Sequence, residues 1–350
     1  MTRNKLLIVI LVLVVGAALG VRSMRTASEP AREPRRIVLQ LQWQPGAQFI
    51  GFYAAKDRGF FEEEGLDVEF RHGGPGIDPV EAVAQGLADI GLASGDQAFM
   101  WAADHRGTHE AITVFGTVFA KSLARFMSDE ERAVREPADF RGRRVGVFPG
   151  QDTDHLLRIL IARNAIPADE VEVVPFPDLE QFERGEIDVY PSYTINEPVL
   201  ERQRNRRVYE LDPEEFGVRF YSDTMFARAE FHRDEQDVIE RFLRAAARGW
   251  MLTESDTQAA VEAMGRQVGA AIGAGAAWEH HVRGAHEAVK YLRAADGPDG
   301  LFVVDQARWH DMAAALAEVH EVATAVDPDA LCDFDLAPRV LRTLSGSGPS

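Results

Sequence analysis

Cysteine is almost absent from this chain of 350 residues, in which Cys332 is the only one. An intramolecular disulfide is therefore impossible, which excludes a small domain held together by disulfide bridges. The sequence also lacks a phosphate-binding loop, a dinucleotide fingerprint and a Gly-x-Ser-x-Gly motif. We therefore predict no catalytic residue and no cofactor.

Basic residues are also scarce, since 38 Lys and Arg stand against 56 Asp and Glu and give a formal net charge of -18 at pH 7. An acidic surface of this kind repels phosphate backbones and anionic lipid. We therefore expect no nucleic-acid partner. The length is sufficient for one large or two medium-sized domains, each with a substantial core.

The N-terminal residues are typical of an export signal. A short basic segment precedes the apolar run from Leu6 to Val15, and small residues follow it. The run is shorter than the about 20 residues that usually span a membrane. We predict a signal peptide or an uncleaved anchor at residues 1–22 and a linker at residues 23–36. No cysteine stands directly after the run to carry a lipid, so we expect no lipoprotein. A periplasm would retain a freely diffusing binding protein, so we expect a periplasmic location.

Short apolar runs alternate with helical patterns along the first two thirds of the chain, as in parallel α/β architecture. The first set of predicted strands covers Ile37–Trp43, Leu66–Phe70 and Ile90–Ala93, and a second set covers Arg144–Phe148, Val171–Val174 and Ile187–Tyr190. Because the same alternation occurs twice, we predict an α/β fold with two similar lobes, each with a parallel-type sheet flanked by helices.

Two extended segments, Val114–Met127 and Val218–Phe226, bracket the second set of strands. Two crossings of the chain on either side of one unit predict an inserted lobe joined by a two-segment hinge. The predicted boundaries are 37–120 plus 223–340 for lobe 1, 121–222 for lobe 2 and 341–350 for a flexible tail.

The carboxyl ends of the predicted strands indicate where a ligand binds, because open parallel sheets bind ligands outside those ends. They carry Trp43, then Ser94 with Asp96, then Asp152 with Thr153, and then Tyr190 through Glu197. This set is aromatic and acidic, and it contains no Lys or Arg. A carboxylate such as Asp152 at a helix N-terminus competes with an anionic ligand. The pattern favours a neutral or cationic solute with hydrogen-bond donors, stacked against Trp43, Tyr190 and Tyr193.

Each of these residues also has a structural interpretation. Trp43 has the same strand parity as the apolar residues before it, which is compatible with a core position. Asp96 and Asp152 are typical helix-capping residues. Tyr190 is compatible with a buried strand position, and Glu197 with an exposed one. Their convergence at strand ends, and not any single residue, favours a binding site.

The histidines give no metal-site pattern. His105 and His109 are four residues apart, but no third ligand is evident. His280, His281 and His286 lie in a helical segment, where we expect solvated surface. We therefore predict no metal site.

The order of several motifs resembles a known family. The opening LQLQWQPGAQFIGFYAAKDRGFFEEEGLDVEF resembles the start of type II periplasmic solute-binding proteins of the thiamine-pyrimidine-precursor and alkanesulfonate class, with Trp43–Pro45, Gly51–Ala55 and Gly59–Leu66 at the motif positions. The strand and loop ALADIGLASGDQ, the segment Asn196–Pro198 and the return FYSDTMFA follow in the order of the family. The resemblance covers residues 37–270.

The resemblance implies the type II periplasmic-binding-protein fold and the role of a solute-binding component of an ABC importer. It implies a permease and an ATPase in the inner membrane as partners, a monomeric protein, and a thiamine pyrimidine precursor of hydroxymethylpyrimidine or formylaminopyrimidine type as ligand. Alternatives are a flavin-like heteroaromatic, a sulfonate, or the role of an anchored sensor. The pyrimidine-synthesising relatives carry a cysteine-rich motif, which the single Cys332 cannot provide, so no enzyme activity is expected.

The resemblance also assigns residues. It stacks Trp43 on the pyrimidine ring, with Tyr190 and Tyr193 on the opposite lobe. Further predicted contacts are Gln48, Tyr53, Ser94, Asp96, Asp152, Asn196, Glu197 and Asp223. Gln48 stands where the family often has His or Asn, which leaves the identity of the ligand open.

Overall fold

The computed structural model describes residues 34–108, 111–295 and 300–345. The predicted signal segment and all but the last three residues of the predicted linker lie outside these ranges. Within them, no helix combines the length and apolar character needed to cross a membrane.

Strands and helices alternate up to about residue 230, and helices dominate thereafter. The strands are β1 (Arg35–Gln40), β2 (Leu66–Arg71), β3 (Ile90–Ala93), β4 (Ile112–Thr117), β5 (Ala124–Asp129), β6 (Arg144–Val147), β7 (Glu172–Pro175), β8 (Val189–Tyr193), β9 (Val208–Leu211) and β10 (Thr224–Arg228). The α-helices are α1 (Ile50–Asp57), α2 (Phe60–Glu63), α3 (Pro79–Ala84), α4 (Gly95–Asp104), α5 (Asp152–Arg163), α6 (Leu179–Glu183), α7 (Glu197–Gln203), α8 (Ala229–Asp234), α9 (Gln236–Ser255), α10 (Thr257–Val268), α11 (Ala276–Ala288), α12 (Gln306–Val319), α13 (Pro328–Leu331) and α14 (Leu336–Ser345).

The strands form two five-stranded sheets, in the orders β2-β1-β3-β10-β4 and β7-β6-β8-β5-β9. This confirms the predicted α/β fold with two sheets flanked by helices, and each sheet is mixed, since parallel pairs such as β1–β3 and β6–β7 are combined with antiparallel ones. Strand β10 pairs antiparallel with β3 and β4, and β5 pairs antiparallel with β8 and β9. The reason is topological: β5 and β10 are the first strands after the chain passes from one sheet to the other, and each joins its new sheet in the reverse direction.

The two passages between the sheets lie side by side. The Val118 N–H donates to the carbonyl oxygen of Asp223 at 2.7 Å, and the Leu123 N–H donates to the hydroxyl of Ser222 at 2.7 Å. We use lobe 1 for β1–β4 and β10 with their helices, and lobe 2 for β5–β9 with theirs. The boundaries at residues 121 and 222 stay a prediction.

The first strand is shorter than predicted, because β1 ends at Gln40 and Trp43 lies in the loop beyond it. Gly73 packs directly against this loop: its N–H donates to the carbonyl oxygen of Trp43 at 3.1 Å. A Cβ atom at Gly73 would lie 2.2 Å from the carbonyl oxygen of Gln42, so only glycine permits this approach. The indole of Trp43 therefore lies beyond the end of β1, half-buried against the core of lobe 1.

The C-terminal end of the described chain is helical where a flexible tail was predicted from residue 341. Helix α14 includes residues 341–345, and Leu341 is fully buried. Burial of its apolar side chain holds this segment on the fold. Residues 346–350 lie outside the described ranges.

The close crossing of α1 and α9 in lobe 1 leads to a stability prediction. A Cβ atom at Gly249 would lie 2.1 Å from the carbonyl oxygen of Gly51. We expect Gly249→Ala to lower the free energy of unfolding by about 1–3 kcal/mol, because overpacking forces the helices apart. Urea unfolding followed by circular dichroism measures this. Gly46→Ala is the control, since a Cβ there meets only the carbonyl oxygen of Gln44 at 3.9 Å; equal losses in both variants would contradict the prediction.

Candidate functional site

A cavity of about 320 Å³ lies between the two lobes. Lobe 1 contributes the loop of residues 42–48 and two histidines of α11, and lobe 2 contributes the chain after β6, strand β8 and the start of α7. The lining residues are Gln42, Trp43, Gln44, Pro45, Gly46, Ala47, Gln48, Phe148, Gln151, Asp152, Thr153, Tyr190, Pro191, Ser192, Tyr193, Ile195, Asn196, Glu197, His280 and His281. None of these residues is a lysine or an arginine.

Aromatic side chains from both lobes face this cavity. The rings of Trp43 and Phe148 lie 6.1 Å apart between centroids, inclined at 60°, so that lobe 1 and lobe 2 touch at the cavity wall. Tyr190 and Tyr193 project from strand β8 on the side of lobe 2. Trp43 is half-buried, and its exposed part faces the cavity. Such a set offers flat surfaces to a flat ring.

Asp152 is the most buried carboxylate of the lining. It opens α5, with 4% of its surface exposed. The hydroxyl of Tyr193 donates to Oδ2 at 2.7 Å, and the Thr153 N–H donates to Oδ1 at 2.7 Å. Burial, with the charge of Asp96 as a second cause, raises the pKa of Asp152 to about 7. This group therefore changes its charge near neutral pH.

Gln48 connects the cavity to a second buried carboxyl group. Its Nε2 donates to Oδ1 of Asp223 at 2.7 Å. Asp223 is fully buried behind the cavity wall, and its Oδ2 has no hydrogen-bond partner among the described residues. Burial raises the pKa of Asp223 to about 8, which the hydrogen bond from Gln48 partly offsets. At neutral pH the Asp223 carboxyl is largely protonated, so it offers a donor as well as an acceptor.

Glu197 and Asn196 form the part of the wall where lobe 2 meets α11. Glu197 accepts hydrogen bonds from the Tyr193 N–H at 3.1 Å and from Nδ2 of Asn196 at 2.9 Å. Burial of its carboxyl group raises the pKa of Glu197 to about 6, so the group is ionised at pH 7.

His280 lies on lobe 1, across from this pair. Its Nε2 atom is 2.9 Å from Oδ1 of Asn196. Burial, with His281 as a second cause, lowers the pKa of His280 to about 4, so the imidazole is neutral and Nε2 donates to the amide oxygen. This bond joins the two lobes. The expectation of solvated surface is therefore wrong for His280 and His281, which are half-buried and line the cavity, whereas His286 is exposed.

Seven of the predicted site residues line the cavity and four do not. Those at the wall are Trp43, Gln48, Asp152, Tyr190, Tyr193, Asn196 and Glu197. Asp223 lies behind Gln48, as described. The hydroxyl of Tyr53 is 3.1 Å from Nε2 of His72, and its ring packs edge-on against Phe70, because α1 turns it into the core of lobe 1.

Ser94 and Asp96 are also absent from the cavity wall, since α4 begins beneath the cleft and both side chains are fully buried. The Ser94 hydroxyl donates to Oε1 of Gln97 at 3.1 Å, and Asp96 pairs with His155 of lobe 2. Direct ligand contact by Tyr53, Ser94 or Asp96 has no support in this arrangement.

The structure adds lining residues that the sequence did not single out. Phe148 directly follows strand β6, so the rule on strand ends contained a signal for it that the acidic residues obscured. His280 and His281 come from α11, nearly 90 positions after β8. Only the folding of α11 against the loop of residues 47–49 brings them to the cavity, and no local pattern indicates this.

Comparison with known proteins gives three kinds of match. The sequence profile of the family described as NMT1/THI5 like matches residues 46–260. A formylaminopyrimidine-binding protein of Halalkalibacterium halodurans is 26% identical over 228 residues, which cover 63% of this chain and 67% of that protein. The chain thus matches about two thirds of the length of this relative.

Solved structures show the fold at lower identity. The alkanesulfonate-binding protein of Xanthomonas axonopodis pv. citri, solved with MOPS bound, is 13% identical, with a TM-score of 0.64 over 86% of this chain and 99% of that one. A desulfurization enzyme is 14% identical, with a TM-score of 0.56 over 88% of this chain and all of that one. The same fold therefore occurs in binding proteins and in an enzyme, so the fold alone does not decide the function.

Proposed function

The chain belongs to the NMT1/THI5-like family, and from this premise we propose that it is the periplasmic solute-binding component of an ABC importer whose ligand is a thiamine pyrimidine precursor. The ligand is of the hydroxymethylpyrimidine or formylaminopyrimidine type. The name of the relative from Halalkalibacterium halodurans supports the second of these.

The observation that carries the proposal is the composition of the cavity wall, which combines aromatic rings from both lobes with carboxyl groups and has no cationic side chain. Trp43 on lobe 1 is suited to stack on a flat ring, which contributes about 0.5–1.5 kcal/mol beyond burial. The two tyrosines of β8 on lobe 2 add further aromatic surface to the wall. The volume of about 320 Å³ is near the lower end of the range for small-molecule sites. A one-ring heterocycle suits such a space.

Hydrogen bonding supports a ligand rich in donors. Glu197 and the ionised form of Asp152 accept hydrogen bonds, and the carbonyl groups of Gln48 and Asn196 add neutral acceptors at the wall. An aminopyrimidine presents an exocyclic amine as donor and ring nitrogens as acceptors. The hydroxyl of Thr153, which lines the wall and has no hydrogen-bond partner among the described residues, is a donor for one of those nitrogens.

The same wall disfavours a sulfonate or nitrate. Anions are held by guanidinium or ammonium groups or by free N–H groups at a helix N-terminus. Here the α5 N-terminus already carries Asp152, whose carboxylate accepts the Thr153 N–H. An anionic ligand would meet like charge at this position.

Transport follows from the two lobes. A ligand that contacts both walls favours the closed arrangement, because it makes contacts there that one open lobe cannot supply. The closed monomer then docks on a permease with its ATPase in the inner membrane. Export by the N-terminal segment places this event in the periplasm, and the ligand leaves chemically unchanged.

Native mass spectrometry of the protein isolated from its own host tests the proposal. We expect one added mass per chain, released by acid as an intact aminopyrimidine. If the isolated protein carries no ligand, it is incubated with formylaminopyrimidine and its mass is measured again. A co-purified sulfonate, a chemically altered pyrimidine after incubation, or an empty protein after incubation would each contradict it.

A further inference from the structure

A buried polar pair joins the two lobes beneath the cavity without lining it. Asp96 lies in the first turn of α4 on lobe 1, and His155 lies in α5 on lobe 2. Their exposed fractions are 0% and 3%. The Nδ1 atom of His155 is 2.6 Å from Oδ2 of Asp96. Since carboxyl oxygens accept, His155 is the donor across the boundary between the lobes.

The pair is connected to the cavity wall through α5. Asp152, which lines the cavity, lies three residues before His155 and therefore on nearly the same face of the helix. The charge of Asp96 is one of the causes that raise the pKa of Asp152. A displacement of α5 away from α4 would thus break the His155–Asp96 hydrogen bond and move a wall residue at the same time.

We infer that Asp96 and His155 form a buried latch that holds the two lobes together and thereby sets the ligand affinity, although neither residue touches the ligand. They are positioning residues. A hydrogen bond between charged groups in a buried setting contributes more than an exposed ion pair, whose contribution is small. Opening of the cleft that separates α4 from α5 exposes both groups to water and ends that contribution.

The latch has a defined dependence on protonation. The groups that face His155 are Asp96 from α4, Asp152 and Asp154 from its own helix, and His320 just after α12, whose ring lies edge-on at 4.8 Å between centroids. Burial opposes protonation of His155, but the hydrogen bond and charge of Asp96 outweigh it and raise the pKa of His155.

The sign of the pH dependence follows from the raised pKa of His155. A raised pKa means that the charged pair is present at low pH and is lost as the pH rises through the pKa of His155 in the folded protein. The contribution of the latch to ligand affinity is therefore largest at acidic pH.

The test rests on the proposed function for its probe, formylaminopyrimidine, and has a second readout without any ligand. Calorimetric titration of the full mature protein gives Kd for wild type, His155→Ala and His155→Asn. Asparagine places an amide donor close to the position of Nδ1 without the charge. We expect His155→Ala to raise Kd by about tenfold or more, and His155→Asn to have a smaller effect. The ratio of Kd for His155→Asn to that for wild type should decrease from about pH 5.5 to about pH 8.5.

Arg163→Ala is the matched control, because Arg163 also joins the lobes through Glu318, at 2.8 Å, but both side chains are partly exposed. Its Kd should stay within about threefold of wild type at every pH. Asp96→Asn serves as a second variant in case His155→Ala does not fold, as judged by its thermal unfolding.

Small-angle X-ray scattering of the ligand-free proteins supplies the independent readout. We expect a larger radius of gyration for His155→Ala than for wild type or Arg163→Ala. The latch would be overturned if His155→Ala had the same Kd and the same radius of gyration as wild type. If His155→Ala does not fold, the same comparison is made with Asp96→Asn. Failure of wild type to bind formylaminopyrimidine would instead refute the proposed function, while the scattering comparison would still decide the latch.

Discussion

Replacement of Trp43 by alanine is expected to weaken ligand binding by about tenfold or more, which corresponds to about 1.4 kcal/mol per decade. The indole is the largest flat surface that lobe 1 presents to the cavity, and it touches Phe148 of lobe 2. Its removal deletes one stacking surface and also a contact between the lobes. Titration calorimetry with formylaminopyrimidine measures the change in Kd.

Trp101→Ala provides the control for the loss of a tryptophan. Trp101 lies in α4 of lobe 1, away from the cavity lining, where its ring stacks on His105 at 3.7 Å between centroids. We expect its Kd to equal that of wild type. An unchanged Kd in Trp43→Ala, with the thermal unfolding of both variants normal, would remove Trp43 from the site.

The second large effect concerns Asp152 and the pH. A ligand that donates to this carboxyl group binds its ionised form best, and ionisation occurs as the pH rises through about 7. At constant ligand protonation, the contribution of Asp152 to affinity should therefore increase from about pH 6 to about pH 8, opposite in sign to the contribution of the latch. Asp152→Asn keeps the shape but not the charge, so its Kd should be about tenfold higher than wild type near pH 8 and closer to wild type near pH 6.

Asp129→Asn is the corresponding control. Asp129 lies at the end of β5, outside the cavity lining, where its carboxylate accepts the Glu131 N–H at 3.0 Å. The ratio of its Kd to that of wild type should be independent of pH. If the ratio for Asp152→Asn is equally flat, the ligand does not interact with an ionised Asp152.

The rule that ligands bind at the carboxyl ends of parallel strands predicted most of the cavity wall, because it depends only on local sequence patterns. Tyr190 and Tyr193 lie in a short apolar strand, and Asp152 opens an amphipathic helix, so the sequence alone places them at one edge of a sheet. Asp96 also obeys the rule, yet it lies beneath the cavity. The rule identifies an edge of the sheet but does not distinguish the side chains at the wall from those one layer below.

The parts that could not be predicted depend on contacts between distant segments. His280 reaches the cavity because α11 packs on the loop of residues 47–49, where a Cβ atom at Gly284 would lie 3.1 Å from Cβ of Ala47. The loop that carries Trp43 beyond the end of β1 likewise depends on the close approach of Gly73, which is 30 residues away from Trp43 in the chain. Neither contact can be predicted from secondary-structure propensity or from the periodicity of apolar residues.

Calorimetric titration of ligand-free protein with four solutes, one at a time, tests most directly whether the cavity selects a pyrimidine. Formylaminopyrimidine, hydroxymethylpyrimidine, an alkanesulfonate and nitrate are each titrated into the wild-type protein at about pH 7.5. We expect saturable one-to-one binding of at least one of the two pyrimidines, with Kd at least a hundredfold below those of the two anions, a difference of about 2.7 kcal/mol. Tighter binding of the alkanesulfonate or of nitrate, or no binding of either pyrimidine, would contradict it.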